Sequence, residues 1–304
     1  VTIRPTEQTD SEFLYLDEQH NILKGAAAER LLKDRNDAAF LSESSGIVRV
    51  SLDRWSTAQE FEKKYWLEIC QNDTQDRNDE HFDNFNGYQA LNGKVFSHAI
   101  ELGCGPFTNL RKIAPYCKIS KCSLLDPLIE SYTGHPNRTY TRNSLSYENT
   151  PLVQKLSHNI LLRALRRLIR KTVPSVVHRE LPVAQIYNIP IEQMKVTAEY
   201  DLVVMINVIE HCYDAAQIFK NIRNCLKPGG IFVFADRYYD HKVVADWVRG
   251  KRFDAGHPLL VDRTFIDTEL SKYNTLFRQV TQHVWRVEDF DLDHECVYWI
   301  GQIP

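Results

Sequence analysis

Ile100-Glu101-Leu102-Gly103-Cys104-Gly105-Pro106-Phe107 sets an acid inside the end of an apolar run and a Gly-x-Gly turn directly after it. Val95, Phe96, Ala99, Ile100 and Leu102 supply a buried strand, and Asn109 to Tyr116 carry the pattern of a following helix. The chain has only a few residues in which to turn between the two. Glycine tolerates the backbone angles this needs and leaves room for a ligand against the backbone. The expectation is a cofactor lying over Gly103 and Gly105.

The third glycine position separates two classes of cofactor. A dinucleotide fingerprint reads Gly-x-Gly-x-x-Gly and seats a pyrophosphate on the helix N-terminus. Here Thr108 stands at the third position, and Glu101 adds a carboxylate where the phosphates would pass. An NAD-type ligand is disfavoured. S-adenosylmethionine (SAM), with its amino group and sulfonium, brings a cationic end that suits the acid better. Lys121 to Pro127 reads as a second strand ending in a carboxylate, about 20 residues past the turn, which places Asp126 on two ribose hydroxyls of either nucleoside.

Downstream, Leu202 to Ile206 is a continuous apolar run, the signature of a parallel strand buried on both faces. It stops at Asn207-Val208-Ile209-Glu210-His211, polar groups at the carboxyl end of a strand, where open α/β sheets bind ligands. Ala215 to Leu226 reads as a helix stopped by Lys227-Pro228-Gly229-Gly230, and Ile231 to Asp236 as the next strand. A helical pattern at Thr264 to Tyr273 precedes Phe277–Val287 and Cys296–Ile300, which alternate like an antiparallel pair.

In this order, Glu101-x-Gly103-x-Gly105, Asp126, Asn207 to His211 and Leu226 to Gly230 resemble the motifs of the class I SAM-dependent methyltransferases of the small-molecule type. The resemblance covers about residues 96–303. It implies an α/β fold: a Rossmann-like, seven-stranded, mostly parallel sheet with helices on both faces and an antiparallel terminal strand. It also implies SAM as cofactor and S-adenosylhomocysteine as product. The residues it places on the cofactor are Glu101, Gly103, Cys104, Gly105, Asp126, Pro127, Leu128, Ile189, Asn207 and Val208. Leu128 would flank the adenine, and the loop after a third strand at Val183–Tyr187 would bring Ile189 and Ile191, with Asn188 or Glu192, to the same ring. A helix capped by Ser56 or Thr57 and carrying Ala58, Phe61, Tyr65 and Trp66 is similar to the one that closes over SAM in many members.

Two regions lie outside the family pattern. Residues 1–54 read as an accessory region with a helix near Ala26 to Phe40 and short edge strands, ahead of a methyltransferase domain over 55–304. Residues 131–182 form an insert after the second strand. Within it Leu152 to Lys171 is amphipathic, with Leu156, Ile160, Leu165 and Leu168 on one face and Arg163, Arg166, Arg167 and Arg170 largely on the other. A solvated cationic face, a lid over an acidic or phosphorylated substrate, and membrane-surface contact all remain open for it.

Methyl transfer from a sulfonium is an in-line displacement, so alignment and exclusion of water come first. A hydroxyl or protonated amine also needs a base. His211, just past the fourth strand, and His257 are the catalytic candidates, because an imidazole titrates near neutral pH. The acceptor is expected to be a hydroxyl of a sugar, polyol or secondary metabolite, with an amine second. A SAM-binding regulator or scaffold without catalysis and an NAD-dependent enzyme are the alternatives. A net charge of −3 gives no basic surplus for nucleic acid. The seven cysteines contain no Cys-x-x-Cys pair, so neither zinc nor a disulfide framework is expected, and no metal-ligand spacing stands out. With no apolar signal-like or membrane-spanning run, the expected location is cytoplasmic.

Overall fold

The computed structural model describes residues 14–16, 22–24, 41–42, 46–72, 78–149, 177–244, 252–254, 256–287 and 290–304. At its centre β6 (Ala99–Leu102), β8 (Cys122–Leu125), β10 (Val177–Tyr187), β11 (Tyr200–Ile206) and β12 (Leu226–Tyr238) run parallel. Along the sheet, β10-β8-β6-β11-β12 continues into β16 (Phe290–Gln302) and β15 (Asn274–Val287), both paired antiparallel.

Seven strands are expected, and the sheet has eight. The extra one, β9 (Ser144–Asn149), pairs antiparallel with the first half of β10 at the sheet's edge. The insert therefore enters and leaves along a two-stranded ribbon, and the third strand begins at Val177 rather than Val183. The cause is a short alternation: Leu145 is buried and Tyr147 half-buried, while Ser146 and Glu148 face out. The basic stretch Leu152–Lys171 and the helix expected at Ala26–Phe40 lie outside the described residues.

Why β11 is central is visible in its side chains. Successive residues point to opposite faces, so Val203 and Met205 join Phe232 and Phe234 in one apolar layer. Leu202, Val204 and Ile206 join Ile231, Val233 and Ala235 in the other. Helices α4 (Ala215–Cys225) and α5 (Arg263–Leu270) cover the first layer through Ile218, Phe219, Ile222, Ile266 and Leu270. The second is covered by Phe85, which follows α2 (Asn78–Asn84), and by Leu110 and Ile113 of the short α3 (Leu110–Ile113).

Helix α1 (Leu52–Asn72) starts earlier than its apolar spacing suggests. Ser51, not Ser56 or Thr57, caps it: the Ser51 hydroxyl accepts the Arg54 N–H at 3.1 Å, and Asp53 in the first turn complements the helix dipole. The amino-terminal strands pair with downstream segments. β1 (Leu14–Leu16) runs parallel to β13 (Arg252–Asp254), and β4 (Gly46–Ile47) pairs with β14 (Leu260–Val261). Among the described residues, no helix is long and apolar enough to cross a membrane.

Candidate functional site

The turn after β6 is built by its glycines. Gly103 and Gly105 both sit in the left-handed region, at φ 65° and 51°. They differ in what surrounds them. A Cβ on Gly103 would land 2.4 Å from Val208 Cγ1, whereas one on Gly105 would meet nothing within 4 Å. Gly103 is thus a packing requirement, and Gly105 opens onto empty space. The Tyr140 hydroxyl donates to the Gly105 carbonyl at 2.9 Å and steadies the turn from outside.

Glu101 is turned away from that space. Its Oε1 accepts the Asn109 backbone N–H at 2.6 Å and the Asn109 side-chain amide at 3.1 Å, and its Oε2 accepts the Leu110 N–H at 2.9 Å. A buried carboxylate therefore fills the N-terminus of α3, where N–H groups otherwise lack partners. Burial pushes its pKa up to about 7 despite these donors.

Asp126 closes the carboxyl end of β8. Its Oδ2 accepts the Gly105 N–H at 2.9 Å and its Oδ1 the Leu128 N–H at 2.7 Å, which ties the glycine turn to the next strand. Burial raises its pKa to about 6. At the end of β11, Asn207 takes φ 57°, a conformation Asn accepts more readily than most residues. Asp236 Oδ2 then accepts the N–H groups of Val208 and Ile209 at 3.0 and 2.8 Å and anchors the turn that carries His211.

These strand ends border a cleft of about 90 Å³ that is partly open to solvent. Of the residues singled out from the sequence, Gly103, Gly105, Asp126, Pro127, Leu128, Asn207, Val208 and His211 line it. Three do not. Glu101 caps α3 as described, Cys104 is buried beside Tyr140, and Ile189 packs half-buried on the apolar layer. His257 stands behind His211, with ring centroids 4.5 Å apart.

The helix expected to close over the site does supply one wall, but of the residues read on its inner face, Ala58, Phe61, Tyr65 and Trp66, Trp66 alone is in the lining. Trp55, Gln59, Glu62 and Trp66 of α1 line the cleft, spaced as one helical face. Trp55 Nε1 and Gln59 Nε2 both donate to the His211 carbonyl, at 3.1 and 3.0 Å, and fix the helix over the opening. The recurrence at i, i+4, i+7 and i+11 was the available signal. Glu192 forms another part of the lining. Its Oε1 accepts the N–H groups of Tyr213 and Asp214 at 2.7 and 3.0 Å, while its buried Oε2 has no hydrogen-bond partner among the described residues.

The residues matched by a family model, 75–280, span the glycine turn, Asp126 and the β11 motif, and the family is described as a methyltransferase domain. The chain belongs to that family. No curated protein matches the sequence. Among solved structures, the methyltransferase chain is similar to the N-methyltransferase NodS from Bradyrhizobium japonicum in complex with S-adenosyl-L-homocysteine, at 18% identity and TM-score 0.45, over 80% of this chain and 98% of that one. It is also similar to the Burkholderia thailandensis 1,6-didemethyltoxoflavin-N1-methyltransferase, at 10% identity and TM-score 0.44, over 84% and 91% of the two chains. At these values the likenesses bear on neither substrate nor mechanism.

The electrostatics of this methyltransferase site predict how the empty protein responds to pH. Burial raises the pKa of Glu101 and Glu192 to about 7 and of Asp126 and Asp236 to about 6. For each the folded value exceeds the unfolded one. The contribution is fully present below the unfolded pKa and is lost as pH rises through the folded pKa. Burial pulls His211 down, but the charge and hydrogen bond of Glu62, with Glu210 behind, outweigh it and hold the imidazole at about 9. That shift has the same sign. Burial holds His98 and His135 below the ordinary imidazole value, a shift of the opposite sign, but the five groups above outweigh them, so the ligand-free protein should melt at a higher temperature near pH 5 than near pH 8. A melting temperature that climbs steadily over that interval would contradict the assignment.

Proposed function

We propose that the cleft binds SAM and that the protein transfers its methyl group to a hydroxyl or amine of a small molecule. The observation that carries this reading is an acid-lined cleft beside a helix N-terminus that Glu101 already fills. A dinucleotide needs that N-terminus for its pyrophosphate, and Glu62, Asp126 and Glu192 along the lining would repel phosphates. A cationic, nucleoside-bearing ligand meets the same groups favourably. Gly105 leaves space for it against the backbone. Asp126, with two lone-pair positions per oxygen and one on each already used, retains acceptor capacity for a ribose diol. The unpartnered Glu192 oxygen, with Leu128 and Ile191 nearby in the lining, suits an adenine amino group.

The cofactor supplies an electrophilic methyl group. The residues of this chain bind and orient it, and α1 restricts water through Trp55 and Trp66. His211, which lines the cleft, and His257 beside it are the candidates for taking the acceptor's proton. The reading assigns the methyltransferase domain to 55–304, with the region before it held against that domain by β1 and β4. The seven dispersed cysteines, with no Cys-x-x-Cys pair, favour a reducing compartment such as the cytoplasm.

Isothermal calorimetry on the purified chain is expected to register SAM and S-adenosylhomocysteine and not NAD. Labelled methyl groups should then appear on hydroxyl- or amine-bearing acceptors. Absence of SAM binding by a folded protein overturns the reading, and binding without turnover on any acceptor favours a regulatory or scaffold role.

A further inference from the structure

We propose that Glu62, His211 and His257 hold a divalent transition-metal cation at the edge of the cleft. This deepens the methyltransferase reading and depends on it for the role of the cation, though not for its binding. Each of the three side chains offers one ligand atom, and these atoms all lie within 4.8 Å of one another. Around a first-row cation with bonds of about 2.0–2.2 Å, ligand atoms stand roughly 3–4 Å apart, so closing on the ion needs only small side-chain movements. Glu210 adds a second carboxylate, its Oε1 3.5 Å from His257 Nε2 and 3.7 Å from His211 Nε2, both within that span.

The carboxylates and the scaffold both favour a cation. Glu210 Oε2 is paired with Arg237 at 2.9 Å, and its Oε1 lies toward the two imidazoles. The three segments are joined by bonds that do not use the proposed ligand atoms. Trp55 and Gln59 of α1 donate to the His211 carbonyl, and the Leu259 N–H donates to the Glu210 carbonyl at 3.1 Å. The Gly256 carbonyl lies 3.2 Å from His211 Nδ1. Glu62 Oε1 lies 3.3 Å from the same nitrogen, so Nδ1 is the His211 atom that faces that carboxylate and Nε2 the one that faces Glu210. The donor set is two nitrogens and one or two carboxylate oxygens, each partly shielded from solvent. Such a set suits manganese, iron, cobalt, nickel or zinc, and suits magnesium or calcium poorly.

A cation here points to the acceptor class. Glu62 and His211 line the cleft, so a cation they held would be reached from its interior. An acceptor that places a hydroxyl oxygen on the ion has that hydroxyl's pKa lowered. The proton passes to solvent, the oxygen's electron pair forms the bond to the methyl carbon, and the carbon–sulfur pair returns to sulfur. Hydroxyl-bearing acceptors are then favoured over amines.

The test uses the full chain, stripped with a chelator and titrated with Co²⁺ alone, read by visible absorption and by metal content after dialysis. The expected result is one equivalent per chain, displaced by Zn²⁺ and not by Mg²⁺. Glu62→Gln and His257→Ala should each weaken it about 100-fold or more. S-adenosylhomocysteine affinity, measured by calorimetry in the same preparations, keeps the two readings apart. Cobalt binding without S-adenosylhomocysteine binding retains the metal site and removes the methyltransferase role, and the reverse result overturns the metal site. Cobalt bound equally by wild type and both variants also overturns it. If His257→Ala does not fold, His257→Gln and the Zn²⁺-dependent rise in the wild-type melting temperature serve instead, and no rise at saturating Zn²⁺ counts against the proposal.

Discussion

A Gly105→Val protein is expected to fold and to lose SAM affinity by about 100-fold or more, about 2.8 kcal/mol. The prediction follows from the difference between the two glycines of the turn. A side chain on Gly105 meets no protein atom within 4 Å, and the residue lines the cleft, so two added methyl groups occupy the space the ligand would use. The backbone cost is separate. At φ 51° an L-residue is strained by about 1–2 kcal/mol, which lowers stability without emptying the fold. Gly105→Ala carries nearly the same backbone strain with less bulk. It should keep a measurable part of the affinity if filling is the cause, and should match Val if strain is. Gly103 is the wrong place for this experiment. Its Cβ would strike both methyl groups of Val208, at 2.4 and 2.6 Å, so a loss of binding there reports a damaged turn. Calorimetry with circular dichroism on each variant decides the matter, and wild-type affinity in a folded Gly105→Val protein would move the cofactor elsewhere.

What the sequence made legible was local. The strand and glycine turn at Ile100 to Gly105, the carboxylate that ends β8 and the apolar run of β11 are each written in a few adjacent residues, and each governs its own stretch of backbone. The mostly parallel sheet with its antiparallel terminal strand followed from the family pattern that these stretches compose. What stayed hidden depends on residues far apart in the chain. Glu101 reads as a carboxylate beside a cofactor, yet it serves the backbone of Asn109 and Leu110, because that is where unpaired N–H groups and a positive helix end are found. The β9 strand was concealed inside an insert whose amphipathic sequence at Leu152–Lys171 dominates its periodicity. Glu62, His211 and His257 carry no sequence spacing at all, and only the packing of α1 over the β11 turn brings them together. Glu192 sits between these cases: its position after the third strand marked it as a candidate, and the spare oxygen that gives the mark meaning is a fact of burial.

Asp126→Ala is expected to weaken SAM binding by roughly 100- to 1,000-fold and to flatten its dependence on pH. A carboxylate hydrogen bond contributes about 1.5–3 kcal/mol, and a ribose diol would make two. The substitution also strips acceptors from the Gly105 and Leu128 N–H groups, so Asp126→Asn, which keeps one acceptor, should fall between wild type and Ala. The pH dependence separates a ligand contact from a merely structural one. Burial sets the Asp126 carboxyl at about 6 in the empty protein, and the diol's donors bind the ionised form. Protonation therefore competes with the ligand, and as pH falls below about 6 the wild-type affinity should decline by up to about tenfold per unit. Neither variant has that carboxylate to protonate, so the difference between their pH profiles and the wild-type profile isolates Asp126 from Glu192, which titrates in all three proteins. Calorimetry between about pH 5 and pH 8 reads both effects. Parallel profiles in wild type and Asp126→Ala would place Asp126 in the scaffold of the turn and leave the ribose to another residue.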